Sequence, residues 1–569
     1  MLKARTFFVC EALLALALLL PHPAAAAWPT DPLVNVPLCT ATGDQESPSS
    51  VSDGMGGTIV TWEDQRNGNW DIYVQRISAD GTPQWTANGV PLCTVTSKQF
   101  DPTIVSDGAG GAIVTWDDER SGGGNDDIYA QRISAGGTVQ WTTNGVALCT
   151  ATGDQWYPTI VSDGAGGAIV MWQDQRSGNW DIYAQHVLAS GVLDPAWTAS
   201  GVALCTATGD QKSPTIVSDG ASGAIVIWQD GRSGSGNYDI YAQRILAAGA
   251  VLWTANGMAL STTTDWWPNP TIVSDGAGGA IVTWQDWRSG IGNGDIYAQR
   301  ISASGAVQWT SSGVGLCIAT GNQESPAIAS DGTGGAIVTW HDYRSAATYD
   351  IYAQRISANG TVQWTADGVG LCTAIGDQFD PTIVPDGTGG AIVTWQDGRS
   401  SNTDIYAQRI SAGGTVQWTA NGVALCTANG DQESPTTVSD GAGGAVVTWD
   451  DQRSGNRDIY AQNVKPNGAL GGYSGVDVPG EAALAFALDP MRPNPTCGGA
   501  LTVHFALPTS ASARLELLDV AGRRIASREV GAGQHTLDLG EGQHLAPGLY
   551  LVRLTQGANT RTMRVAVLR

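Results

Sequence analysis

One phrase, Ser/Pro-Asp-Gly-x-x-Gly, recurs along the whole chain, with its aspartate at Asp53, Asp107, Asp163, Asp219, Asp275, Asp331, Asp386 and Asp440. Successive copies lie 54 to 56 residues apart. A fixed period of this length marks a repeat architecture, in which each unit buries its apolar face only against its neighbours. Every unit continues with Trp-x-Asp-x-Arg, then Asp-Ile-Tyr-(Ala/Val)-Gln, then a Trp that leads to a Leu-Cys pair.

The unit reads as four short strands. In the second copy they are predicted at 103–106, 112–116, 127–133 and 139–149, the last bent by Asn144-Gly145. Alternation and β-branched residues support strands, and no stretch keeps a helical period. Asp-Gly and Gly-Gly between the first two strands suit a hairpin turn. Four antiparallel strands in about 55 residues are one propeller blade. The last unit stops near Asn463 to Leu470, without its Trp-to-Cys segment. That missing piece stands at the other end, as Trp28 and then Val36-Pro37-Leu38-Cys39. The expected fold is therefore all-β: an eight-bladed β-propeller of four-stranded blades closed by the N-terminal strand, followed by a small Ig-like β-sandwich. Closure removes the edge strands that invite aggregation.

Residues 1–27 read as a secretory signal peptide, with Lys3 and Arg5, an apolar stretch from Phe7 to Leu20, and small residues Ala24 to Ala27. The stretch carries Glu11 and is shorter than a membrane span, so no transmembrane segment is expected in the mature chain. Expected boundaries are 28–470 for the propeller, 471–494 for a linker and 495–569 for the sandwich. With 29 Lys plus Arg against 53 Asp plus Glu, the net charge is -24. That balance argues against nucleic acid and against an anionic membrane surface. The expected place is secreted or at the cell surface.

Two sets of residues stand out. The first repeats in every unit: Asp64 with Arg66, Asp118 with Arg120, Asp174 with Arg176, Asp230 with Arg232, Asp286 with Arg288, Asp342 with Arg344, Asp397 with Arg399 and Asp451 with Arg453. A second Asp opens each third strand, as at Asp71, so the Arg is expected to be held between two carboxylates as a structural pin. Repetition makes catalysis there unlikely to be the role, because an active site is asymmetric. The second set escapes the pattern: Trp70, Trp156, Tyr157, Trp180, Tyr238, Trp266, Trp267, Trp287, Tyr343 and Tyr349. These lie in loops that emerge on one face of an up-and-down blade, and are expected to form an aromatic recognition rim for a glycan or a protein. Packing between blades is the competing account.

No cofactor is expected, although loops rich in Asp, Asn and Gly admit calcium through Asp64-type or Asp71-type carboxylates. The histidines lack metal-ligand spacing, and His186 and His341 read as local drift. Seven cysteines share one slot of the repeat, Ser261 filling the eighth, and are expected as buried free thiols.

After Gly471 the repeats cease. The motifs Pro493-Asn494-Pro495, Phe505-Ala506-Leu507-Pro508, Leu518-Asp519-Val520-Ala521-Gly522-Arg523 and Leu545-Ala546-Pro547-Gly548-Leu549-Tyr550 follow. This segment resembles the Ig-like domain of flagellar hook-cap proteins and the C-terminal sorting domain of type IX secretion cargo. The resemblance implies secretion machinery as a partner. The Asp-box of sialidases has its Asp and Trp closer than Asp107 and Trp116, so sialidase chemistry does not carry over. The function expected first is an extracellular binding or adhesion module. A structural surface scaffold comes second, and a glycoside hydrolase or lyase third, so the chain reads more as a non-enzyme.

Overall fold

The second strand of each repeat has no polar face, and it is buried from end to end. Thr58–Asp64 and Ala112–Asp118 show this. A strand covered on both sides needs a neighbouring sheet on each. The computed structural model supplies them. It describes residues 28–472, apart from 123, 235, 263–266 and 291, and parts of 487–567. The expected leader, most of the expected linker, Trp266 and Cys497 lie outside the described residues.

Residues 28–472 form one compact unit and hold eight four-stranded antiparallel sheets. In order they span residues 45–93, 99–149, 155–205, 211–261, 271–317, 323–372 and 378–426, here blades 1 to 7. Blade 8 combines 432–464 with Val36–Cys39. Its closing strand runs antiparallel to Asp458–Val464, with Val36 opposite Ala461 and Cys39 opposite Ile459. The first strands of successive blades touch in an unbroken cycle, and Gln432–Ser439 meets Gln45–Ser52. The ring is thus closed as expected.

A tryptophan ladder ties each blade to the next. The Trp85 indole donates to the Ala135 carbonyl of blade 2 at 3.1 Å and lies over Gly137. A Cβ at Gly137 would stand 2.6 Å from that ring, and its φ of +77° favours glycine in any case. Trp28, from the N-terminal segment, repeats the contact across the closing seam. It donates to the Ala79 carbonyl at 2.9 Å and covers Gly81.

Two strand assignments need correction. The fourth strand is only Val146–Cys149, because Asn144 and Gly145 both take positive φ and break the run. The first strand is longer, Gln99–Ser106, and carries Pro102 inside it. A β-bulge between Phe100 and Thr103 accommodates the proline. The seven cysteines of the ring are free and buried, and burial pushes thiols such as Cys93 up to about 12.

The C-terminal unit, taken by itself, is a pair of sheets. One orders Arg524–Val530, Ala513–Asp519, Gly548–Gln556 and Asn559–Val567, and the other holds Ala487–Leu488, Thr502–Leu507 and Gly533–Asp538. Leu515, Leu517, Val552, Leu554 and Val565 make its core.

Removing residues 28–39 from the exported chain leaves blade 8 with three strands and the outer edge of the Tyr460 strand unpaired. We expect that chain to elute as dimers and aggregates on size-exclusion chromatography, with a lower unfolding temperature than the parent. A monomer of unchanged stability would contradict the closure.

Candidate functional site

The repeated Asp-Arg pair is a pin, with different partners from those expected. Asp64 is fully buried. Its Oδ1 accepts from the Arg66 backbone at 3.0 Å and from Nε at 2.7 Å, and its Oδ2 accepts from the Trp62 indole at 2.8 Å. The guanidinium lies 3.9 Å over the Tyr73 ring and donates to the Asn88 carbonyl at 2.7 Å and to Cys39 Sγ at 3.0 Å. All eight pairs make the ion pair. Asp71 does not clamp the arginine from the other side. It takes its hydrogen bonds from Asn67 and Asn69, at 2.8 and 3.1 Å. In blade 1 the carboxylates of Asp64 and Asp71 are thus both engaged by protein donors. Among the described residues no three His, Cys, Asp or Glu side chains converge as a metal site.

A second Asp-Arg set escaped the sequence reading. Asp53 accepts from the Met55 and Gly57 amides and pairs with Arg76 at 2.9 Å, and Arg76 reaches the Ala135 carbonyl of the next blade. In blade 3 His186 takes the place of that arginine. It bridges Asp163 at 3.0 Å and Asp194 at 2.9 Å, and Asp194 lies in the stretch that carries the two extra residues of this unit. His186 is therefore a replacement with partners, not drift.

The mouth of the ring axis is built at the residue before each proline, which sits in a β-bulge in every blade but the fifth. The residue there is left-handed in every blade: Ser47, Asp101, Tyr157, Ser213, Asn269, Ser325, Asp380 and Ser434, with φ from 39° to 55°. Non-glycine residues rarely adopt this region, and each costs of order 1–3 kcal/mol unless the surroundings hold it. At Asp101, Tyr157, Ser213 and Ser325 the holding group is the side chain that follows the buried tryptophan of the preceding blade. Glu63 accepts from the Asp101 amide at 2.9 Å, Gln173 from Ser213 and Gln285 from Ser325, both at 3.1 Å. Six of these left-handed residues, from Tyr157 round to Ser434, line a cavity of about 680 Å³ floored by their prolines.

Of the aromatic residues expected at a rim, Tyr157 lines this cavity; the described others are mostly half-buried, and several touch one another. Trp156 lies 4.8 Å from Trp180, and its indole donates to Asp126 at 2.5 Å. Tyr157 follows it, 52% exposed. Tyr238 lies 5.9 Å from Trp267, which is 56% exposed. Tyr349 lies 4.9 Å from Tyr343, 5.3 Å from Phe379 and 5.0 Å from His341. His341 is also 3.5 Å from Glu324, which gives it a place in this cluster. Trp70 offers its carbonyl to Gln99 of the next blade at 2.9 Å, and Trp287 packs on Gly294. Trp180 alone of the described set is buried, at 8% exposure. Trp267 is not the counterpart of Trp156. Counting back from Asp275 puts it in the slot of the buried Gln155, because blade 5 carries two prolines, Pro268 and Pro270, where other blades carry one.

Where four blades place Gln after the buried tryptophan, three place an acid: Glu63, Asp117 and Asp450. Burial pushes Glu63 up to about 8 and Asp450 up to about 7, the latter moderated by Arg457. Burial, with Asp101, Asp126 and Glu63 nearby, lifts Asp117 well above the carboxylate range. Asp101 opens on the solvent of the mouth, yet protein crowds it closely enough to raise its carboxyl as well. The available signal was variation: this position reads Glu, Asp, Gln, Gln, Gln, His, Gln, Asp between an invariant Trp and an invariant Asp.

These acids set a pH dependence. Between about 4.5 and about 8 the folded Glu63 keeps a proton that the unfolded chain releases, so stability falls as pH rises through that window. Thermal unfolding at a series of pH values should show the decline, and Glu63→Gln should flatten its part. A midpoint that rises from pH 5 to pH 8 in the parent chain contradicts the assignment.

The comparisons with known proteins fall on both units. The family described as a secretion system C-terminal sorting domain matches residues 491–568. No curated protein sequence matches the chain. Among solved structures, an ulvan lyase of a polysaccharide lyase family is 12% identical with a TM-score of 0.42, over 71% of this chain and 97% of its own. An α-L-arabinanase of Penicillium chrysogenum complexed with arabinobiose is 14% identical with a TM-score of 0.35, over 54% and 92%. An α-L-arabinofuranosidase of Fusarium graminearum with an iminosugar inhibitor is 10% identical with a TM-score of 0.35, over 67% and 98%. No helix among the described residues is long and apolar enough to cross a membrane. The tail marks the chain as cargo of the type IX secretion machinery, bound for the cell surface or the extracellular space.

Proposed function

We propose that the ring is an extracellular glycan-binding module, carried to its place by the C-terminal sorting domain. The observation that carries this reading is the coincidence of two layers at one mouth. The exposed Tyr157 lines it with the half-buried Trp156 next to it in the chain, and a ring of mostly short polar side chains on left-handed backbone completes the lining. A sugar ring has apolar C–H faces that stack on aromatic rings and hydroxyls that pair with polar groups. Holding eight non-glycine residues in a strained region points in the same direction, since such strain persists at ligand sites more often than elsewhere. The cavity of about 680 Å³ falls in the range of ligand pockets and admits a short oligosaccharide segment.

The rim aromatics divide the work in this reading. Trp180, buried against Trp156, braces it, and Trp156 with the exposed Tyr157 presents the stacking surface. The Asp-Arg pins hold the loops that carry these rings.

A glycan array probed with the mature chain, followed by calorimetric titration of its best ligand, tests the reading. We expect Trp156→Ala to weaken binding about tenfold or more, the scale of a buried aromatic anchor, with little change in unfolding temperature. An array without any bound glycan, or a variant that binds like the parent, overturns it.

A further inference from the structure

Charge is unevenly spread around the mouth. On the arc from blade 8 to blade 3 the described side chains include Glu46, Glu63, Asp101, Asp117 and Asp126. The cation on the blade 8 side, Arg457, is engaged by Glu46 at 2.9 Å, Glu433 at 2.7 Å and Asp450 at 3.5 Å. Lys98 lies over the Phe100 ring at 5.7 Å. Among the described residues no Arg, Lys or His forms an ion pair with Glu63, Asp101 or Asp117. These three nevertheless sit together. The Asp101 amide donates to Glu63, and Asp117 Oδ2 accepts from the Tyr157 amide at 3.4 Å. Asp117 is only 4% exposed, and its Oδ1 has no hydrogen-bond partner.

A buried carboxylate oxygen without a donor is costly unless something arrives to satisfy it. Aromatic faces beside it favour a cation further, and Tyr157 and Trp156 stand there, with their ring centroids 6.5 Å apart. We propose that this arc receives a primary ammonium group, so that the glycan recognised at the mouth is one bearing free amines, a glucosamine polymer rather than its N-acetylated or uronic-acid counterpart. This rests on the glycan reading above. An ammonium has three donors and no acceptor, which matches a trio that offers oxygens only. A uronic acid brings a carboxylate to a site that already holds unpaired ones, and an N-acetyl group supplies no charge.

The acids that face this trio are Glu46 toward Glu63 and Asp126 toward Asp117. Tyr157 faces Asp101 and Asp117, and burial, with these two acids, raises its phenol. The unoccupied site disfavours ionised acids: burial pushes Glu63 up to about 8, burial with the neighbouring acids lifts Asp117 well above the carboxylate range, and burial raises Asp101. An ammonium reverses that preference, so binding sends protons from the carboxyls to solvent. Affinity therefore rises with pH as the trio ionises, until the ligand amine itself loses its charge.

The test titrates the full mature chain with two oligosaccharides of one backbone, a glucosamine hexamer and an N-acetylglucosamine hexamer. We expect the amine form to bind at least about tenfold tighter, with proton release seen as a buffer-dependent heat. Asp101→Asn should abolish the preference, and it should fold, because Asn269 holds the same left-handed position in blade 5. Glu63→Gln is the second variant, matching the Gln of other blades. Equal affinity for the two hexamers overturns the amine and leaves the glycan reading intact. A preference that survives in both variants overturns the placement of the ammonium. A lysine-rich peptide that outcompetes the glucosamine hexamer overturns the glycan source. Absence of binding to either hexamer while a neutral glycan binds overturns the inference alone, and absence of binding to every glycan overturns both readings.

Discussion

A carboxylate shut away from water requires a counter-charge and a full set of donors, and this chain meets that demand once per blade. Asp64 and its counterparts are buried under an indole, a guanidinium and a backbone amide. In seven blades the same guanidinium reaches the thiol of the preceding blade, so those pins cross a seam. Breaking such a pair by removing one partner costs about 3–5 kcal/mol, because the charge left behind stays buried. The loops between the second and third strands hang from these pins. So do the rings they present at the mouth. The seven thiols contribute as small apolar groups with an arginine on one side, which explains their recurrence without any disulfide.

The architecture was legible because repetition multiplies a weak signal. A single Ala112-Ile113-Val114-Thr115-Trp116 is an ambiguous strand, whereas its recurrence with Asp-Ile-Tyr at fixed spacing leaves one account. Ring closure was legible from a deficit at one end matched by a surplus at the other. The mouth was harder to see. Pro102 and its counterparts read as loop, since proline normally ends a strand, and only the bulge lets the ladder run through it. The left-handed residue before it has no signature of its own, being Ser, Asp, Tyr or Asn in turn. Eight-fold comparison was also misleading at Trp266-Trp267, where equal spacing hid a shift caused by a second proline.

The mouth differs from the rest of the ring in its departures from symmetry. At the core each blade repeats the same Trp, Asp, Arg and Tyr. At the mouth the same backbone carries Glu, Asp, Gln or His in one layer and Ser, Asp, Tyr or Asn in another. The fold tolerates this variety because the backbone amides, not the side-chain identities, are what the preceding blade grips. A symmetric scaffold thereby acquires an arc of acids with aromatic rings in contact with it. A recognition surface can change across such a layer while the pins beneath it stay fixed.

The strand that completes blade 8 also sets an order of events. Val36 and Leu38 are the first strand of the ring to be made, and their partner around Ala461 and Ile459 is the last strand of the ring to follow. Until then blade 1 has no neighbour on one side, and the Trp62 side of its sheet has nothing to lie against. The ring cannot mature piecemeal from its start. Its two ends must meet in a single late step, with some four hundred residues of chain already laid between them, and the compartment in which that meeting occurs is where the protein first becomes itself.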